Sequence, residues 1–163
     1  MSERKPYFPM FIDLSEKKVV VIGGGRIAGR RVETLLKFTE NITVVSPEIT
    51  EEIRMAAKQH KVCWVKERFE DHTDMILKGA DMVLAATNDS ECNEKVARIC
   101  KERGIPVNAS HKKELCDFYF PAIVVQENVV AGITSSGLNH SQARQVREKV
   151  ECALTKESFT YNE

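Results

Sequence analysis

The chain has 163 residues, 42% hydrophobic and 29% charged, and its 24 basic side chains balance 24 acidic ones. That length suits one domain with a short appendage and a core that needs neither metal nor disulfide support. The charge balance argues against a nucleic-acid partner. No apolar run approaches membrane-spanning length, and the start lacks a signal-peptide apolar stretch, so a cytoplasmic protein with no membrane partner is expected.

In chain order, Val19 to Ile22 is an apolar, β-branched strand that runs into Gly23-Gly24-Gly25 and a helix over about 26–38. Read as Gly23-x-Gly25-x-x-Ala28, this stretch fits a dinucleotide-binding fingerprint. Gly23 permits the tight turn, Gly25 lets a pyrophosphate approach the backbone, and Ala28 lets helix and strand pack closely. The helix start, with Arg26 and Ile27, would present unpaired N–H groups to the phosphates. The competing reading is a glycine-rich turn that binds nothing. Residues 42–46 form a second strand, a helix opens at Pro47-Glu48 and runs to about Gln59, and 62–66 form a third strand. A short helix over 71–78 leads to a fourth strand at 81–86, buried on both faces to judge by its composition. Thr87-Asn88-Asp89-Ser90 then supplies turn and cap chemistry for a helix at about 90–103, and 105–108 form a short fifth strand. This alternation predicts a doubly wound parallel sheet of order 3-2-1-4-5 with right-handed crossovers. Beyond residue 110 the pattern changes to two strands, 118–125 and 129–134, and an amphipathic helix from about His140 to Leu154. The division expected is 1–113 for the dinucleotide-binding domain and 114–163 for an appendage too small to hold its own core.

Ser46 and Pro47 end the second strand, where a dinucleotide's adenosine ribose is gripped, and Ser46 marks no preference for a 2′-hydroxyl. Thr87 and Asn88, after the fourth strand, are placed to meet the nicotinamide half. Asp89 and Ser90 read as plain turn and cap residues. Five cysteines, at 63, 92, 100, 116 and 152, are odd in number and lack a C-x-x-C pair, which argues against a disulfide framework or zinc site. The histidines at 60, 72, 111 and 140 show no metal-binding spacing, so no permanent metal is expected.

The ordered motifs Tyr7-Phe-Pro-Met-Phe-Ile-Asp-Leu14, Val19 to Ala28, Val44-Val-Ser-Pro-Glu48, Ala85-Ala-Thr-Asn-Asp89, Val107-Asn108, Phe118-Tyr-Phe-Pro-Ala-Ile123, Thr134-Ser-Ser-Gly137 and Ala143-Arg-Gln-Val-Arg-Glu-Lys149 run through nearly the whole chain. Together they resemble the precorrin-2 dehydrogenase family, the N-terminal part of siroheme synthases. The resemblance implies a Rossmann-like fold and NAD-dependent oxidation of precorrin-2 to sirohydrochlorin. In some members it also implies insertion of ferrous iron. It implies a homodimer joined through the strands and helix after residue 113, and substrate contacts at Asn108, Ser135 and Gly137.

Three departures from the family pattern stand out. Counted without gaps, the family's catalytic aspartate falls on His111, which exchanges protons near neutral pH but offers no fixed negative charge. The family's Ser-Pro is replaced by Asn139-His140. The family's further C-terminal helical region has no counterpart within these 163 residues. His111 is thus either the proton acceptor or a solvated loop histidine, and a transient ferrous ion near it, joined by His140, would serve a chelatase. Arg26, Lys112 and Lys113 are placed to meet substrate carboxylates. The rival readings are a non-catalytic carrier or sensor of dinucleotide and tetrapyrrole, and a chelatase without NAD.

Overall fold

A computed structural model describes residues 7–136 and 138–156, with the backbone alone at Asp71, His140 and Lys156. They fall into two compact units. One holds residues 12–118; the other joins 7–11 to the described residues from 119 onward. Residues 116–118 are stitched to the fifth strand, within the first of these units. Asp117 accepts the Val107 N–H at 3.0 Å and donates its own N–H to the Val107 carbonyl at 2.8 Å. Asn108 Nδ2 donates to the Phe118 carbonyl at 2.7 Å.

The larger unit is a parallel sheet of order β3-β2-β1-β4-β5. Its strands are β1 (Val19–Ile22), β2 (Ile42–Val45), β3 (Cys63–Val65), β4 (Met82–Ala85) and β5 (Val107–Ala109). The expected strand order and the separate later hairpin are therefore both present. The helices are α1 (Arg26–Leu35), α2 (Glu51–Lys58), α3 (Thr73–Leu77) and α4 (Ser90–Glu102). Central strands of β-branched residues suit a sheet covered on both faces, and every residue of β1 is buried. Val20, Ile22, Val83, Ala85 and Val107 pack with Ile76 and Leu77 of α3 and Val96, Ala97 and Cys100 of α4. The alternate residues Val19, Val21, Val44 and Leu84 face the opposite side, which α1 and α2 cover.

In the smaller unit the strand expected over 118–125 begins at Ala122, and in the larger unit three element boundaries differ from the sequence pattern. Pro47 and Glu48 do not open a helix; α2 begins after Thr50, because residues 46–50 wrap onto the glycine turn and the Thr50 N–H donates to the Gly24 carbonyl at 2.9 Å. The helix expected over 71–78 is a 3₁₀ turn at Phe69–Asp71 followed by α3, and Phe69 is a buried core residue. The fifth strand starts at Val107, since Pro106 has no N–H to give and instead accepts the Val83 N–H at 2.9 Å.

In the smaller unit, β6 (Ala122–Gln126) and β7 (Val129–Ile133) form an antiparallel hairpin, with Ala122 opposite Ile133 and Gln126 opposite Val129. A fifth helix, α5 (His140–Lys156), packs chiefly on β6, and Tyr7 stacks edge-on against Tyr119 with ring centroids 4.5 Å apart. Asn139 caps α5, its Oδ1 accepting the Gln142 N–H at 3.0 Å, so the replaced Ser-Pro keeps a good helix start.

Gly23 and Gly24 carry the turn after β1. Gly23 has φ +113°, and a Cβ there would lie 2.5 Å from the Ala86 carbonyl oxygen. A Cβ on Gly24 would lie 2.1 Å from the Glu48 carbonyl oxygen, a backbone atom that cannot swing aside. Gly24→Ala is therefore expected to lower stability by about 2–3 kcal/mol; an unchanged urea midpoint would contradict this packing. Asp81 anchors the opposite end of the sheet, accepting the Lys18 N–H at 2.9 Å and pairing with Lys17 Nζ at 3.0 Å. The Lys18 N–H first, then Lys17, holds its carboxyl below the ordinary 3.8. The unfolded chain therefore takes up this proton before the folded one does, and the contribution is present above pH 3.8 and lost as pH falls below it. In acid titrations followed by circular dichroism, Asp81→Asn is expected to flatten that part of the stability profile.

Candidate functional site

The carboxyl ends of β1 to β4 surround a cavity of about 870 Å³, within the range of cofactor sites. It is lined by residues 22–25, 45–50, 67–70 and 86–89, with Cys92. It lies where the chain order reverses between β1 and β4, the place where doubly wound sheets take ligands. Of the cofactor residues expected from sequence, Gly23, Gly24, Gly25, Ser46, Pro47, Thr87 and Asn88 line it together.

Gly25 differs from its two neighbours. A Cβ there would meet nothing within 4 Å, so the position opens into free space above the start of α1. Gly25 is also the N-cap of that helix, and no side chain caps the first N–H groups. Uncapped donors at the positive end of a helix dipole, next to a backbone bare of side chains, suit a pyrophosphate. A dinucleotide thus fits the residues present. Arg26 and Ile27 are exposed on the first turn of α1, while Ala28 is fully buried beneath it. Gly29, which sequence reasoning passed over, lets α2 approach: a Cβ there would lie 3.1 Å from Thr50 Oγ1.

The other two rims are held by side chains that sequence reasoning also passed over. Asn93, 1% exposed on α4, accepts the Thr87 N–H at 3.1 Å and donates to the Thr87 carbonyl at 3.0 Å. The Thr87 hydroxyl accepts the Asp89 N–H at 3.1 Å, and Asp89 Oδ1 caps α4 by accepting the N–H groups of Glu91 and Cys92. The loop after β4 is thereby shaped by the protein's own groups. On the far side, Trp64 Nε1 donates to the Ser46 carbonyl at 2.9 Å, with Arg54 and Lys66 close to its ring. An asparagine six residues after a strand-end threonine was the one available signal for the first network. Burial and the nearby Glu70 carboxylate push the Cys92 thiol up to about 12, so it stays protonated and unreactive at neutral pH.

The remaining predicted residues lie elsewhere. His111 follows β5, outside the cavity lining, with Nε2 3.9 Å from Glu94 Oε1 on α4. Glu94 also accepts from Lys112 Nζ at 2.9 Å, and that lysine first, then His111, draws its carboxyl below the usual range. Asn108 is 3% exposed, and its amide holds the Phe118 carbonyl. Ser135, in the smaller unit, accepts the Asn139 N–H on its hydroxyl at 3.1 Å. Gly137 and the His140 side chain lie outside the described residues. Among the described residues no three His, Cys, Asp or Glu side chains converge as a metal site.

Comparison with known proteins agrees with this cleft. The profile of a family described as "Putative NAD(P)-binding" matches residues 10–122. The "Probable multifunctional siroheme biosynthesis protein HemA" of Ruminiclostridium josui is 43% identical over 144 residues, 88% of this chain and 27% of that protein. The siroheme synthase of Methylobacillus flagellatus is 36% identical over 146 residues, 90% of this chain and 31% of that protein. The chain therefore spans less than a third of the length of these curated relatives. A solved structure titled "SirC, precorrin-2 dehydrogenase" shares the fold, with a TM-score of 0.74 at 23% identity over 90% of this chain and 71% of that one. With the cleft at the carboxyl edge of its sheet and the profile matched over most of its length, the chain belongs to this NAD(P)-binding family.

Proposed function

We propose that this chain is an NAD-dependent dehydrogenase that oxidises precorrin-2 to sirohydrochlorin during siroheme formation. The observation that carries the reading is Gly25: an open backbone position at an uncapped helix start, in a chain similar to siroheme synthases. When bound, the dinucleotide accepts the hydride that precorrin-2 gives up. The chain's own residues bind, orient and move a proton. The first turn of α1 holds the pyrophosphate, and Gly23 and Gly24 keep that turn pressed to the sheet. Ser46 and Pro47 bound the adenosine side. Thr87 and Asn88, fixed from behind by Asn93, orient the nicotinamide half.

Each hydride lost must be accompanied by a proton for the new double bond to form. His111 is assigned as its acceptor, with Glu94 nearby to stabilise the imidazolium that results. Arg26 and Lys113 are assigned to substrate carboxylates. Asn108 serves by setting the course of the chain after β5. The segment 114–163 is assigned to the contact between two copies, in line with a hairpin and helix that bury few side chains of their own. All five cysteines are free thiols and no described helix is long and apolar enough to cross a membrane, both in keeping with a cytoplasmic enzyme.

Gly25→Ala separates binding from folding. Because its Cβ would enter open space, stability is expected to change by no more than about 1 kcal/mol. NAD affinity should fall at least about tenfold by calorimetry, as the methyl intrudes on the phosphate path. Retained affinity would remove the glycine cradle from the reading. The reaction itself is tested by following reduced nicotinamide formation with precorrin-2. His111→Ala is expected to lower kcat on the order of a hundredfold while NAD affinity holds, because His111 lies outside the cleft lining. No turnover by the unaltered chain, with both ligands bound, would overturn the dehydrogenase assignment.

A further inference from the structure

In doubly wound sheets the adenosine ribose is usually held by an acid at the end of the second strand. Here that position is Ser46, and its Oγ faces the glycine turn, 2.9 Å from where a Cβ of Gly24 would stand. The neighbouring strand supplies an acid instead. Glu67 lies two residues beyond β3 and lines the cleft. Its Oε2 is sealed from solvent and has no hydrogen-bond partner among the described residues, and the His72 ring stands 3.9 Å away, beyond hydrogen-bond range. The side chain as a whole is 37% exposed, so the carboxylate borders the open cleft while one of its oxygens lacks a donor from the protein, which points to a donor carried by the ligand. Strands stand about 4.8 Å apart, so the end of β3 lies about 10 Å from the glycine turn, on the adenosine side of a pyrophosphate held at α1.

We propose that Glu67 grips the adenosine ribose through its 2′-hydroxyl and sets the preference for NAD over NADP; this rests on the dinucleotide reading above. The charge around the cleft acts in the same direction. Among the described lining residues, Arg68 is the single cation beside Glu48, Glu67, Glu70 and Asp89. A ribose hydroxyl gives the Glu67 carboxylate a donor, whereas a 2′-phosphate brings about two negative charges against it. Glu48, exposed in the loop after β2, serves as the comparison residue.

Calorimetry on the full chain with NAD, NADP and 2′-deoxy-NAD tests the assignment. The unaltered protein is expected to bind NADP and 2′-deoxy-NAD each about tenfold more weakly than NAD. Glu67→Gln should weaken NAD about tenfold and close the gap to both analogues, whereas Glu48→Gln should shift the affinities together or not at all. An unchanged NAD to NADP ratio in Glu67→Gln overturns the proposal. So does equal binding of NAD and 2′-deoxy-NAD by the unaltered chain, a comparison that stands even if the variant fails to fold. Failure of every dinucleotide to bind would overturn the dinucleotide reading itself; NAD binding that ignores the sugar overturns Glu67 alone.

Discussion

The turn after β1 has to pass between two other backbones, and it does so by having no side chains. Gly23 lies against the Ala86 carbonyl and Gly24 against the Glu48 carbonyl, both closer than a Cβ allows. The loops after β2 and β4 are thereby drawn in on either side, one of them through the bond from the Thr50 N–H to Gly24. Gly25, one residue on, has no such neighbour. Two glycines close the fold and the third leaves room for a ligand. The cleft is the space that remains when three strand ends converge on a bare turn.

What surrounds that space is held from behind. Asn93 supplies both backbone groups of Thr87 with a side-chain partner, and Asp89 spends its carboxylate on the start of α4. Trp64 fixes the Ser46 carbonyl from the neighbouring strand. These bonds run between the chain's own groups, so the cleft's rims are held by the protein itself, and such preorganisation favours affinity. Glu67 stands apart as a lining group whose buried oxygen no described residue satisfies.

The strand order was readable because it depends on local patterns. Apolar β-branched runs, helix caps and glycine stops alternate with a regularity that admits a parallel sheet and little else. The glycine fingerprint was readable for the same reason: its three functions lie within six residues. Boundaries were less legible where the chain leaves its own element to satisfy another. Pro47 and Glu48 resemble a helix start, yet the backbone there is committed to Gly24; Phe69 lies in a charged stretch, yet it fills the core between β4 and α3.

By itself, then, the amino-acid order determined the alternation of elements, the course of the sheet and the presence of a bare glycine turn after the first strand. All of these follow from side-chain period and backbone freedom over a few residues. Tertiary structure decided which groups share the cleft. Ser46 and Trp64 are 18 residues apart, and His111 and Glu94 are 17; whether each pair meets depends on register and on which face a helix turns inward. It also divided the work of three adjacent glycines, since the difference between closing the turn and opening the site lies in the backbone opposite each, which no local pattern records.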